Sequence, residues 1–259
     1  MASLSELKEL HDQHLDPTKV ISIYHAKDSP FFHDSITRIL PLFNRFFTSG
    51  GVKGELLIEM SFAPYFQWTF PACDYFSEII LGGSTDQCVA VMEKWQRNEP
   101  GALDWSDAAM ALCEGNRDAW PEKQSSLQRK INHILKYDIS KCNPFSPTVL
   151  PPADCLILPH CLELHVTDKE GFCSALKNAS SLLKNGGNLI MISCLEATFY
   201  MVGSFKFPHL CMDESFIRKA LTDADYDIEE LHVFRRTVNK LYDMADYSAL
   251  IVVHARKIF

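Results

Sequence analysis

Short apolar runs of strand length recur along the chain at Glu55–Met60, Glu78–Leu81, Asp154–Pro159, Asn188–Cys194, Ile228–Phe234 and Ser248–Ala255. Between them lie stretches with helical spacing, Asp86–Asn98, Glu122–Lys136, Asp168–Lys184 and Asp213–Ala224. Strands that alternate with helices imply an α/β fold, a mostly parallel sheet with helices on both faces. Thr167-Asp168-Lys169-Glu170 reads as a helix cap with an acidic residue in the first turn, and Asn185-Gly186-Gly187 as the glycine stop of that helix. A polar connection, Arg235–Tyr247, joins the last two runs and predicts an antiparallel hairpin at one end of the sheet. Residues 4–14 and 34–48 read as amphipathic helices that lie as a lid across the C-terminal edge of the strands. Open α/β sheets bind ligands at that edge.

Composition narrows the class. The chain has 259 residues, 47% hydrophobic and 22% charged, which suits one domain over residues 1–259. A net charge of −8, with 25 scattered Lys and Arg, argues against a nucleic-acid partner. No apolar run approaches the roughly 20 residues that span a bilayer, and MASLSELKELHDQHL lacks the apolar core of a secretory signal. The nine cysteines form no Cys-x-x-Cys pair, and Cys155, Cys161 and Cys194 sit inside apolar runs. That usage predicts reduced thiols and a cytoplasmic protein without a membrane partner, in which the Asn178-Ala179-Ser180 sequon is idle.

The candidate chemistry centres on Leu56–Trp68. An apolar strand closed by Glu59 runs into Ser61-Phe62-Ala63-Pro64-Tyr65-Phe66, where a nucleotide-binding turn needs glycine so that backbone can approach the ligand. Phe62, Tyr65, Phe66, Trp68 and Phe70 are the densest aromatic cluster in the chain. They either fill a vacated site as ordinary core or line a new apolar pocket. Pro159-His160-Cys161-Leu162-Glu163-Leu164-His165 matches no zinc spacing, and strand alternation sends His160 and Cys161 to opposite faces, so no metal is expected. His11 and His14 read as solvated residues of a surface helix. No Gly-x-Ser-x-Gly elbow or P-loop occurs.

Several segments carry a resemblance: Gly51-Val52-Lys53-Gly54-Glu55-Leu56-Leu57-Ile58, Met92-Glu93-Lys94-Trp95 through Glu99-Pro100-Gly101-Ala102-Leu103-Asp104-Trp105, Pro151-Pro152-Ala153-Asp154-Cys155, Ser181-Leu182-Leu183-Lys184-Asn185-Gly186-Gly187 and Tyr200-Met201-Val202-Gly203. Together they resemble the nicotinamide, indolethylamine and phenylethanolamine N-methyltransferases, nearly end to end in one register. The resemblance implies the class I methyltransferase fold: a Rossmann-like, seven-stranded, mostly parallel sheet over 51–259 with a C-terminal antiparallel hairpin, preceded by lid helices in 1–50. It implies methyl transfer from S-adenosylmethionine to a small amine or pyridine nitrogen.

Residue by residue, the implied cofactor site is altered. Glu59 keeps the family's acid, but Ser61 and Ala63 replace the two glycines and Phe62 the small residue between them. Gly83 stands where an acidic residue is expected to accept from the ribose hydroxyls, and nearby Asp86 reads as a helix N-cap. Asp138, within Tyr137-Asp138-Ile139, keeps the adenine-side motif. Val20 and His25 replace tyrosines while Tyr24 remains, Gln67 replaces a tyrosine and Cys88 an asparagine. On the substrate side Ser193 replaces an aspartate and His209 a serine.

Three functional readings follow. In the first, the protein has lost S-adenosylmethionine binding and has no catalytic residue. It then uses the retained cavity for another small aromatic or apolar ligand, with Val20, Tyr24, Phe62, Tyr65, Phe66, Trp68, Pro159, His160, Ser193, Ala197, Tyr200 and His209 as candidate lining. In the second it is an active S-adenosylmethionine-dependent N-methyltransferase, and in the third a structural or partner-binding protein with a filled pocket. The expected partner is a small molecule, and the expected state a monomer. Phe62→Gly with Gly83→Asp are the changes expected to return cofactor binding.

Overall fold

Local capping fixes the first helices of the computed structural model, which describes residues 3–26, 29–49, 51–113, 117–236 and 243–259. Ser3 and Glu6 form a complete capping box at α1 (Leu4–His14). Asp16 caps α2 (Pro17–Tyr24), where Pro17 suits a first turn that needs no amide donor. Helix α3 (Pro30–Asp34) runs through a widened π turn, Ser35–Ile39, into α4 (Leu40–Thr48). The widening falls directly before Pro41, which lacks the N–H that a regular ladder requires there.

The rest of the chain alternates as its pattern predicts. In order come β1 (Gly54–Ser61), β2 (Phe76–Gly83), α5 (Asp86–Gln96), α6 (Ser106–Leu112), α7 (Trp120–Lys130), β3 (Ile131–Lys136), β4 (Ala153–Pro159), α8 (Lys169–Ser180) and β5 (Leu183–Leu195). A small hairpin, β6 (Phe199–Val202) and β7 (Phe205–Pro208), precedes α9 (Glu214–Asp223), β8 (Tyr226–Arg235) and β9 (Ala249–Lys257). The main sheet has seven strands in the order β3-β2-β1-β4-β5-β9-β8. Strand β9 pairs antiparallel with both β5 and β8, and the remaining pairings are parallel. The terminal hairpin is therefore present, although residues 237–242 of its connection lie outside the described residues. Apolar side chains cover both faces of the sheet in two clusters, which is why its central strands read as continuous apolar runs rather than alternating ones.

Several expectations need correction. The run Glu122–Lys136 is not one helix: α7 stops at Lys130 and β3 begins at Ile131 with no turn between them. The cap of α8 is Asp168, whose carboxylate accepts from the Gly171 amide at 2.7 Å, and Thr167 lies outside it. That helix ends at Ser180, and Gly186, with φ of 76°, belongs to a kink in β5 where the β4–β5 register shifts. Thr85, not Asp86, caps α5; Asp86 is its first helical residue and pairs with Lys136 at 3.0 Å. Helices α1 and α2 lie over the strand ends, and α3 adds Phe31 beside His160. Helix α4, expected as part of the lid, buries Phe43, Phe46 and Phe47 against Trp68, His254 and Phe76 of the core.

Candidate functional site

The C-terminal ends of β1, β2, β4 and β5 meet under α1, α2 and the β6–β7 hairpin. Two hydroxyls of the aromatic lid close this roof. The Tyr24 hydroxyl donates to the carbonyls of Met201 or Met244 at 2.9 Å, and the Tyr200 hydroxyl lies 2.8 Å from His11 Nε2. His11 is thus only 2% exposed, stacked on Phe207 rather than solvated as its helix position suggested. Burial, then the neighbouring His165, holds its imidazole well below the ordinary pKa.

Phe62 stands at the centre. It is 2% exposed, edge-on to Tyr200 at a ring separation of 5.2 Å, and within 6.0 Å of the rings of His11 and His165. Its carbonyl accepts from the Ser84 hydroxyl at 2.9 Å and the Cys88 thiol at 3.4 Å, which ties the loop after β1 to that after β2. The β1–β2 ladder continues to Ser61 opposite Gly83. A Cβ at Gly83 would lie 3.0 Å from the backbone nitrogen of Val89. Helix α5 thus approaches this glycine closely, and a side chain there would need the first turn of α5 to give way slightly.

The acids implied for the cofactor are committed elsewhere. Glu59 is buried and accepts from the Thr69 hydroxyl. Burial outweighs that bond and pushes its carboxyl up to about 8, so it is a neutral acid at pH 7. Asp138 pairs with Lys8 of α1 at 2.6 Å and accepts from Ser140. Partial burial opposes ionisation, but these two partners bring it below the usual carboxylate range. Ile139 packs in the core and accepts from Asn178 through its carbonyl. Lys8, His11, Ser84, Asp138 and Ile139 enclose about 40 Å³ on the adenine side. His25 lies 3.1 Å from Gln67 Nε2, and burial followed by the nearby His160 pushes it down to about 3. Cys88 is fully buried, and burial raises its thiol.

Next to this closed cleft lies an apolar cavity of about 50 Å³, room for a few water molecules. Of the residues singled out in the sequence, Tyr24, Phe62, Tyr65, His160, Ala197, Tyr200 and His209 line it. Val20, Phe66, Trp68, Pro159 and Ser193 do not. Phe66 stacks on Trp95 at 3.9 Å and Trp68 lies tilted against Phe43 at 5.1 Å, because the loop turns tightly through Phe66–Trp68 and sends both rings into the core. Val20 and Ser193 are buried away from the cavity, and Pro159 ends β4 beside it. The sequence reading missed Phe31, Leu164, Cys194, Phe199, Ala245 and Tyr247. The only signal for Tyr247 and Phe199 was proximity to predicted pocket segments.

The polar end of the cavity is built from the turn after β4. His160, in a left-handed conformation with φ of 50°, turns its Nδ1 towards the buried Glu163, 3.4 Å from Oε1. That distance is long for a hydrogen bond. Burial would raise the Glu163 carboxyl, but His160, His209 and Ser193 outweigh it and hold the group below its ordinary value. Among the described residues no group of three or more His, Cys, Asp or Glu is placed to hold a metal ion, and no helix is long and apolar enough to cross a membrane.

Comparison with known proteins agrees with this architecture. The model of the NNMT/PNMT/TEMT family matches residues 5–258. Nicotinamide N-methyltransferase of Sus scrofa is 35% identical over 257 residues, covering 97% of this chain and 96% of that one. The Homo sapiens protein of the same name is 33% identical with the same coverage, and indolethylamine N-methyltransferase of Oryctolagus cuniculus is 35% identical over 81% of this chain and 77% of its own. Among solved structures, the N-methyltransferase NodS from Bradyrhizobium japonicum WM9 in complex with S-adenosyl-L-homocysteine superposes with a TM-score of 0.56 at 14% identity, covering 99% of each chain. An S-adenosylmethionine-dependent methyltransferase from Clostridium acetobutylicum does so with a TM-score of 0.56 at 12% identity, over 88% of this chain and 97% of that one. The solved structures share the fold.

Proposed function

The chain belongs to the NNMT/PNMT/TEMT family, and from that premise we propose that it binds a small aromatic or apolar ligand at its aromatic cavity without using S-adenosylmethionine. The observation that carries this reading is Phe62, buried between His11, His165 and Tyr200 in the loop that the family uses for its cofactor. The residues present do not fit that cofactor. Glu59, the family's acid, is held neutral by burial and accepts from Thr69. Gly83 offers no acceptor for ribose hydroxyls, and Lys8 already neutralises Asp138. Each loss costs affinity, since an unpaired buried polar group costs about 1–3 kcal/mol.

The relatives favour a second reading, an active S-adenosylmethionine-dependent N-methyltransferase, because near-full-length identity of 33–35% is to proteins named for that activity. Calorimetric titration with S-adenosylhomocysteine separates the two. The first reading expects no saturable heat at millimolar ligand. Binding at micromolar Kd, with methyl transfer to nicotinamide or tryptamine, overturns it and establishes the second. The cysteines found free among the described residues support a reducing compartment such as the cytoplasm.

A further inference from the structure

One stripe of α1 carries everything that the helix puts into the crevice at the strand ends. Leu4, Leu7, Lys8, His11 and Asp12 fall on a single helical face. Leu7 is buried at its centre. The Lys8 ammonium lies 2.6 Å from the Asp138 carboxylate, just beyond the end of β3. Asp12 meets Lys136, the last residue of β3, at 3.2 Å, and the same ammonium reaches Asp86 of α5 at 3.0 Å. His11 sits among Phe62 after β1, His165 after β4 and Tyr200 of the β6–β7 hairpin. One helix face thus closes on the loops after β1, β3 and β4 together. Beneath it about 40 Å³ remains, room for a few water molecules. The floor of that space is not inert. Asp138 offers a carboxylate there between Tyr137 and Ile139, and the His165 Nε2 is buried without a partner.

Every mooring of α1 is a side chain. Among the described residues, no backbone hydrogen bond joins residues 4–14 to anything beyond the adjoining Ser3 and Leu15. Its ion pairs are open to solvent, with the Lys8 side chain 52% and that of Lys136 34% exposed. Each such pair contributes little and is screened by salt. A free helix of 11 residues is marginal in water, so α1 melts once these contacts part. We propose that α1 is a self-inhibitory plug: Lys8 acts as the built-in ligand of Asp138, and the crevice admits a small molecule only on release of the helix. The device goes beyond the functional reading above and is independent of which ligand the crevice takes. Any molecule that reaches Asp138 first has to displace the Lys8 ammonium. Tethering favours the plug, because a segment of the same chain competes at high effective concentration. Weak individual moorings favour release, as in other segments that open locally. The exchange also sets what can replace the plug. A carboxylate only accepts, so the group that follows Lys8 onto Asp138 carries a positive charge or an N–H or O–H donor.

Two readouts on the full chain test this. Hydrogen exchange followed by mass spectrometry reports release as exchange of the α1 amides, with α8 as internal standard. Lys8→Glu faces Asp138 with a like charge and should quicken α1 exchange about tenfold, and Lys8→Glu with Asp138→Lys should restore it. Access to the crevice is read at His165, whose ring lies 5.1 Å from that of His11 under α1. Its Nδ1 donates to the Cys161 carbonyl at 2.6 Å, so the unpartnered Nε2 carries the lone pair that diethyl pyrocarbonate acylates. Acylation of His165 should quicken in Lys8→Glu in step with α1 exchange and slow again in the charge swap. Exposed His133 should react at one rate in all three proteins. Unchanged α1 exchange in Lys8→Glu overturns the proposal, because Lys8 then holds nothing. Quickened α1 exchange without quickened acylation of His165 overturns it too, because the helix then guards nothing. The wild-type titration with S-adenosylhomocysteine reads the failure of the functional reading separately.

Discussion

His11 Nε2 lies 2.8 Å from the Tyr200 hydroxyl, so the first helix of the chain is hydrogen-bonded to the β6–β7 hairpin with Phe62 packed against both rings. Nothing else polar partners the His11 ring, since its Nδ1 has no bond. Removing either end of this contact strands the other in an apolar surround. His11→Ala and Tyr200→Phe should each destabilise by about 1–3 kcal/mol. Their double-mutant cycle should show coupling near 1 kcal/mol. Denaturant melts check this, and additive effects would mean that the bond contributes little.

Acid should weaken the fold before it protonates typical surface carboxylates. His11, His25, His165 and His209 all sit below the ordinary value of 6.5, chiefly because burial penalises the charged ring. Each folded pKa is below its unfolded one. The stability these rings contribute is therefore complete above about 6.5 and drains as pH falls, reaching about 3 for His25. Melting temperature should drop between pH 7 and pH 5 in the wild type, and His11→Phe should flatten that slope. A melting temperature independent of pH in this window would show that these rings are solvated in the folded state.

Glu59 predicts a trend of the opposite sign. Its folded pKa, about 8, lies above the ordinary value of 4.5. The folded protein then holds a proton that the unfolded chain has released, so this contribution is complete below about 4.5 and is lost as pH rises through 8. Glu59→Gln keeps a neutral group of similar shape and should gain on the wild type as pH is raised from 5 to 8.5. Guanidine melts of the pair at several pH values show this directly. A constant difference between them would mean that Glu59 is ionised throughout.

How much of this was legible follows from the distance over which each feature is determined. The apolar strands β1, β4 and β5 were readable because both faces of the sheet are buried, so their central positions are mostly apolar. Strand β3 was not, because at the sheet edge its six residues alternate little and follow α7 without a turn. A run ending in Ile131, Ile134 and Leu135 then imitates helical spacing. In the loop after β1 the sequence marked an aromatic cluster correctly, but the direction of each ring depends on a tight turn of neither strand nor helix period. Phe62 and Tyr65 face the cavity while Phe66 and Trp68 face Trp95 and Phe43. His11 looked solvated because what covers it, Tyr200 and Phe207, lies about 190 residues away along the chain.

The cofactor cleft offers the sharpest mutational contrast. Phe62→Gly removes a fully buried ring and should cost about 3–5 kcal/mol if the site fails to collapse. It also vacates the space between His11, His165 and Tyr200. Adding Gly83→Asp, the change that the family pattern suggests, should not help. The new Cβ would sit 3.0 Å from both the backbone nitrogen and the Cγ2 of Val89. A backbone contact cannot be relieved by a rotamer change, so the first turn of α5, held by the Thr85 cap, would have to move. Expected is a weak thermal shift with S-adenosylhomocysteine for Phe62→Gly and none for the double variant, which should also melt lower. The wild type should show no shift. If the double variant instead binds more tightly than Phe62→Gly, then α5 yields at its N-terminus, and the missing ribose acceptor rather than the phenyl ring is the main obstacle to the cofactor.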